Sequence, residues 1–324
     1  MNISFKGYDA TPLKRVFIES SSCAPIKQEM EDISKKENFE LGYVSDYITW
    51  AQDDKTIIER NNVPHLIANV RPDDWFMYNM GKTYGIESSR AKTFATGGNS
   101  FIGKYPNGEK WMLIGEDEIH RNKTKDDISK EYGIDSKNIF TIPQQFYHLD
   151  MFMRPIGYPY VLVDSPNLVK KKIDKMPMRI SPYEYIQLRK NFENFDRHRK
   201  ESGYTSSEDT IKALKKAGFK PIEVAGVFGN GINFLNAIVN KHQDGTISYI
   251  TNSTKCESQF MSRIEKEFEK ELREKVPNIK NVYFVSGEDD VDIYDENYMM
   301  DRIQNKGGGI HCMSLEEPNF KIWA

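Results

Sequence analysis

The stretch that decides the fold is KGGGIHCMSLEEP, residues 306–318. Three consecutive glycines cost backbone entropy and bury no side chain, so they are out of place inside a helix or a packed strand. Here they run straight into Ile310, His311 and Cys312. Such a turn lets backbone come close to something else, and it delivers one thiol to the end of a strand read as GIHCMSLE. A thiolate placed beside backbone amides gains nucleophilicity once its pKa is lowered. The competing reading is that cysteine is among the most buried residue types and a lone one is usually structural.

A nucleophile needs a proton partner, and the chain has six histidines: His65, His120, His148, His198, His242 and His311. His148 has the most suggestive surroundings, QQFYHLDMFMRPIG. In an extended strand His148 and Asp150 point to one face, which suits a proton donor beside an anchor for a cation. The bland alternative is the polar face of an edge strand. Two further stretches are punctuated for function. Gly97-Gly98 in FATGGNSFIG lets a ligand or another backbone approach. Asp73 and Asp74 beside Trp75, in RPDDWFMYNMGKTYG, read as an acidic aromatic wall for a cation or as an ordinary turn.

Around these stretches, short β-branched runs alternate with amphipathic segments, the pattern of an α/β protein. Asn-Gly in YPNGEK and Asp-Gly in NKHQDGT predict tight hairpins. Helices are expected at APIKQEMEDISKKE, TKDDISKEYG, SPYEYIQLRKNFENFDRHRKESG, SSEDTIKALKKAGF and CESQFMSRIEKEFEKELREKV, with capping hydroxyls at TKDD and SSED. The Lys170–Lys200 segment is basic but carries Glu184, Glu193 and Asp196, and reads as a solvated helical face. Without a Pro- or Ser-rich linker, a single domain over residues 1–324 is expected.

At 324 residues with 38% hydrophobic content, the chain can bury a sizeable core. It carries 45 basic and 48 acidic residues, net −3, so no global basic field points to nucleic acid. No signal-peptide pattern or membrane-length apolar run is present, and no membrane partner is expected. Cys23, Cys256 and Cys312 are too few and too scattered for a disulfide framework or a CxxC metal site. This composition fits the cytoplasm, or export without a cleavable signal. Self-association is left open.

Taken in order, DDWFMYNMG, GGNSF, HLDMF and GGGIHC resemble the pentein superfamily of guanidino-group modifying enzymes. Within it the likeness is nearest to the agmatine deiminases and bacterial-type peptidylarginine deiminases. NFLNAIVN resembles the family's Asn-bearing strand ahead of the last module. The matches span roughly residues 70–315. Residues 1–60 and about 166–205 are the least well matched. The resemblance implies a five-bladed α/β propeller of ββαβ modules with the site on the central axis.

It also implies that Cys312 attacks the guanidinium carbon, that His148 protonates the departing amine and activates water, and that Asp150 binds the guanidinium nitrogens. No metal or organic cofactor is implied. The product would be a ureido compound with ammonia, formed from arginine, peptidyl-arginine or a related compound. Asp74, Trp75, Asn79, Asn99, Asn236 and Arg154 are the substrate-binding candidates. Arg154 would meet a substrate carboxylate or carbonyl, although a structural ion pair is favoured for it.

One departure stands out. The family's tryptophan turn ends in an Arg-Asp pair, and here the corresponding place reads Tyr78-Asn79, while Thr96 replaces a Glu. Asp74 would have to supply the second carboxylate, and agmatine itself becomes a less favoured substrate. Two alternatives are an amidinotransferase using the same covalent intermediate and a diverged module that only binds. A papain-like protease fits less well, because the histidine precedes the cysteine and the cysteine lies on a strand.

Overall fold

Buried β-branched runs and one-sided helices alternate along the chain, and they assemble into a repeated strand–strand–helix–strand unit. The computed structural model describes residues 12–19, 24–44, 50–61, 63–69, 75–120, 123–176, 181–229, 231–253, 261–287, 304 and 308–320. The first unit holds β1 (Leu13–Glu19), α1 (Ala24–Glu37) and β2 (Glu40–Val44). The second holds β3 (Lys55–Arg60), β4 (Val63–Ala68), α2 (Trp75–Tyr84) and β5 (Glu87–Arg90). The third holds β6 (Ser100–Lys104), β7 (Lys110–Gly115), α3 (Glu116–His120), α4 (Lys125–Tyr132) and β8 (Ile139–Ile142).

The fourth is the largest, with β9 (Met153–Gly157), β10 (Tyr160–Asp164), α5 (Pro166–Asp174), α6 (Pro182–Glu201), α7 (Ser207–Lys216) and β11 (Lys220–Val224). A two-stranded ribbon, β12 (Val227–Gly229) and β13 (Ile232–Asn233), leads into the fifth. That unit holds β14 (Ile238–Lys241), β15 (Ile247–Asn252), α8 (Met261–Lys275) and β16 (Ile279–Val285). Finally β17 (Ser314–Pro318) returns to pair with β1 and completes the first unit.

Among the described residues five three-stranded sheets result, and all share one plan. The central strands β1, β4, β7, β10 and β15 each have an antiparallel neighbour on one side and a parallel one on the other. The antiparallel partner needs only a hairpin, whereas the parallel one needs a helical crossover. The predicted hairpins form, with Gly108 at φ 88° and Gly245 at φ 83°, conformations that glycine adopts freely. Among the described residues no strand pairing joins one three-stranded sheet to another, so the sheets stay separate.

Helix ends follow local chemistry. Thr124 with Asp127 and Ser181 with Glu184 form reciprocal capping boxes, and Gly133 ends α4 at φ 63°. On α8, Ile264, Phe268 and Leu272 recur every four residues and are fully buried, with Phe268 stacked 4.7 Å from Phe234. Each such side chain contributes roughly 1.5–3 kcal/mol by leaving water. No helix among the described residues is long and apolar enough to cross a membrane.

Three stretches read as strand are turns at their functional ends. Gly97–Asn99 and Leu149–Met151 are 3-10 turns and residues 310–313 form a turn; strands begin only at Ser100, Met153 and Ser314. Their amides bond locally, as Asn99 N does to Thr96 O (2.9 Å) and Met151 N to His148 O (3.3 Å). The stretch read as a tryptophan turn is helix α2 from Trp75 onward, because Phe76, Met77 and Met80 form a helical stripe buried in the core.

Candidate active site

Each of the five sheets sends the residues just ahead of one outer strand to the same place. Residues 50–54 precede β3, 97–99 precede β6, 148–151 precede β9, 233–237 precede β14 and 308–313 precede β17. The segments touch in a closed sequence. Gln52 N donates to Cys312 O (3.2 Å), and the Gln52 carbonyl faces the bare α-carbon of Gly97. Asn99 Oδ1 accepts from Leu149 N (3.2 Å), and Asn233 Nδ2 donates to Met151 O (3.0 Å). Asn236 Oδ1 then accepts from His311 N (2.9 Å).

The glycine turn is held by asparagines. Asn236 Oδ1 also accepts from Cys312 N (3.3 Å), and Asn252 Oδ1 accepts from Ile310 N (2.7 Å). A Cβ on Gly309 would lie 2.5 Å from Asn252 Nδ2 and 2.6 Å from Asn236 Oδ1. On Gly308 it would lie 2.1 Å from the Trp50 ring. Neither glycine has positive φ, so both serve close approach rather than an unusual backbone conformation.

Cys312 is delivered by that turn and is 3% exposed. Its Sγ lies 3.0 Å from Asn236 Nδ2 and 3.1 Å from Asp150 Oδ2. Burial pushes the thiol pKa well up, and the charges of Asp150 and Asp53 push it further. Asp150 is fully buried and loads one oxygen heavily: Oδ2 meets Asn236 Nδ2 (2.9 Å), His311 Nδ1 (2.8 Å) and the thiol. Its Oδ1 takes no hydrogen bond among the described residues. Burial raises Asp150 to about 7, against the opposing pull of the Cys312 hydrogen bond.

A second carboxylate stands opposite. Asp53 Oδ1 likewise takes no hydrogen bond among the described residues and lies 3.6 Å from His148 Nδ1. Burial, with help from neighbouring Asp54, raises Asp53 to about 6. A Cβ on Gly98 would meet three groups at once: His148 Nδ1 (2.8 Å), Asp53 Oδ1 (3.2 Å) and Asp150 Oδ1 (3.3 Å). Two unsatisfied carboxylate oxygens and an imidazole thus converge above a residue with no side chain. Tyr147 borders the group, its phenol pKa raised by burial and then by Cys312 and the two carboxylates.

Solved structures share this architecture. The agmatine deiminase of C. jejuni superposes with a TM-score of 0.57 at 15% identity, covering 98% of this chain and 99% of that one. A structural-genomics target described as an agmatine deiminase, SmR6, gives 0.53 at 12% identity, covering 96% and 95%. The chain has the pentein fold. No protein-family model matches it, and no curated protein does.

Within this pentein fold the sequence-predicted residues divide. Cys312, Asp150 and Asn236 are in direct contact, and His148 joins them through Gly98 and Asp53. Asn99 hydrogen-bonds Leu149 N, supporting the turn that carries His148 and Asp150. Arg154 is 1% exposed and donates to Glu316 Oε1 (2.9 Å), the structural ion pair favoured from its position. Asn79 is on α2, and none of the hydrogen bonds made by Cys312 or Asp150 among the described residues goes to it. Asp74 and the Trp75 side chain lie outside the described residues.

Asp53 was missed. The signal for it is Trp50-Ala51-Gln52-Asp53, a tryptophan-bearing acidic turn directly ahead of a strand, the same composition that drew attention to residues 73–79. Asp53 places a second carboxylate beside His148 and Asp150, where the motif at Asn79 offered none. Among the described residues, no group of three or more His, Cys, Asp or Glu side chains is placed to hold a metal ion.

Proposed function

We propose that this protein is a cysteine-dependent hydrolase of a guanidino group, built as five ββαβ blades around the axis on which Cys312 lies. The observation that carries the reading is the pair of buried oxygens, Asp53 Oδ1 and Asp150 Oδ1, that take no hydrogen bond among the described residues and face one space beside His148 and next to the Cys312 thiol. A planar cation with donors in a fixed fork suits that arrangement, since each carboxylate takes an N–H pair and the central carbon is presented to sulfur. The cation also offsets the two negative charges that hold the thiol protonated.

The chemistry balances without a further reactant besides water. The Cys312 sulfur bonds to the guanidinium carbon while the thiol proton passes by way of His148 to the departing nitrogen, which leaves as ammonia. A thiouronium remains on Cys312. His148 then takes a proton from water, the resulting hydroxyl adds to the same carbon, and the carbon–sulfur bond breaks to release the ureido product. Preorganised carboxylates and the asparagine cradle do most of the work by positioning.

With Asp53 in place, the argument against agmatine loses its main support, and agmatine, arginine and protein-bound arginine all belong in the test. Purified protein is assayed for ammonia and ureido product against agmatine, arginine, methylated arginines and an arginine-containing protein, beside Cys312→Ala. Turnover with at least one substrate, lost in the variant, is expected. Silence across the panel, together with a Cys312 that reacts no faster with a haloacetamidine than with iodoacetamide, overturns the reading.

A further inference from the structure

Among the described residues Asp150 receives three donors on one oxygen and none on the other, and that asymmetry has a visible cause. His311, next to the nucleophile, lies beneath the carboxylate with Nδ1 2.8 Å from Oδ2. The ring is 1% exposed and sits 5.8 Å from Phe101, tilted 30° to it. The guanidinium of Arg154 also lies over Phe101, 5.4 Å from its centroid, and pairs with Glu316. Glu316 Oε1 is 3.7 Å from His311 Nε2. Burial and the Arg154 charge hold the imidazole neutral, well below the usual histidine range. A neutral ring has one N–H, and a short contact with a carboxylate oxygen demands it at Nδ1.

Gln52 completes the arrangement from the other side. With its amide nitrogen facing the carbonyls of His311 (2.8 Å) and Ser314 (3.2 Å), Gln52 meets His311 Nε2 with both its nitrogen (3.2 Å) and its oxygen (3.1 Å), so it serves either tautomer of the ring. It is the 2.8 Å contact with Asp150 Oδ2 that places the proton on Nδ1. Gln52 is adjacent to Asp53, so one turn carries a carboxylate of the site and packs against the histidine that orients the other.

We propose that His311 is a positioning residue that pins Asp150 Oδ2 through its Nδ1–H and leaves Oδ1 free for the substrate cation. This rests on the guanidino reading above and adds to it a residue that touches neither substrate nor the reacting carbon. A neutral donor in this place restrains the carboxylate without cancelling its charge. A protonated histidine would itself be the counter-ion and would compete with the substrate.

The test compares alkylation of Cys312 by 2-chloroacetamidine, a cation, and iodoacetamide, which is neutral, in the full-length protein. Wild type is expected to prefer the amidine. His311→Leu should lower the amidine-to-iodoacetamide rate ratio roughly 10- to 100-fold, the loss of one hydrogen bond to a charged group. His311→Asn, whose amide nitrogen reaches the place of Nδ1, should restore the ratio to within about threefold of wild type, on the scale of a neutral exchange of donors. A purely structural histidine would lower both rates together and would not be rescued by Asn.

A preference that His311→Leu retains, or an Asn variant as defective as the Leu variant, overturns the proposal alone. A wild type with no preference for the amidine overturns the guanidino reading first. Where His311→Leu fails to fold, His311→Gln decides, its amide nitrogen falling at the place of Nε2 rather than Nδ1: a ratio lowered roughly 10- to 100-fold beside a rescued His311→Asn supports the assignment, and an unchanged ratio overturns it.

Discussion

Asp150→Asn should make the protein more stable in alkaline solution while abolishing activity. An ordinary aspartate titrates near 3.9 in the unfolded chain, whereas in the fold burial holds Asp150 at about 7. Between those pH values the folded protein keeps a proton that the unfolded chain has released. Wild-type stability therefore falls as pH rises from about 4, and the full penalty is present above about pH 7. A displacement of about three pH units corresponds to about 4 kcal/mol.

Asparagine removes the titration. Its oxygen can take the place of Oδ2 under Asn236, His311 and Cys312, and its nitrogen the place of the bare Oδ1. Orphaning that buried N–H costs about 1–3 kcal/mol at every pH. The pH-independent cost cancels when the variant-minus-wild-type difference in unfolding free energy at pH 8 is compared with that at pH 4. Urea titrations at the two pH values should show the variant gaining about 4 kcal/mol relative to wild type. A difference that does not change with pH, or that moves in favour of wild type as pH rises, refutes the reasoning.

The remaining predictions concern binding and the turn. Because Asp53 and Asp150 titrate at about 6 and about 7, kcat/KM for a permanently cationic guanidine should climb through pH 6–7 as both carboxylates ionise; a profile flat from about pH 5 to 8 would contradict this. Asp53→Asn should cut kcat/KM roughly 10- to 100-fold by removing one charge-assisted hydrogen bond, and an unchanged value in steady-state assays would remove Asp53 from the site. Gly309→Ala should cost about 1–3 kcal/mol in thermal or urea unfolding and slow Cys312 alkylation, because the added methyl displaces Asn236 and Asn252.

The pieces that could be read from the chain are those whose chemistry is local. Asn-Gly and Asp-Gly fix the two hairpins, Thr124 and Ser206 start their helices, and the glycine run marks the backbone that must approach closely. Cys312, His148 and Asp150 were legible by residue type and order. The reason for the glycines was only partly so: Gly308 is bare because of Trp50 and Gly309 because of Asn236 and Asn252, partners far away in sequence.

Asp53 was hidden for a related reason. Two tryptophan-acid stretches have the same local composition, and only the packing of Gln52 and Trp50 against the final turn distinguishes residues 50–54 from 73–79. In the latter stretch, Pro72, two aspartates and Gly81 outweighed the helical spacing of Phe76, Met77 and Met80, which burial makes decisive. His311, one of six histidines in the chain, shows its place only when Asp150, Arg154 and Glu316 are brought around it by three-dimensional contacts.

The central claim is that Cys312 bonds covalently to a guanidino carbon. The measurement that tests it most directly is mass spectrometry of protein quenched in acid during turnover, with the modified peptide mapped. The account predicts an amidino-derived adduct on Cys312, accumulating further in a variant such as His148→Asn if it hydrolyses the intermediate more slowly than it forms it. Turnover with Cys312 unmodified at every quench time, or continuing in Cys312→Ala, would contradict it.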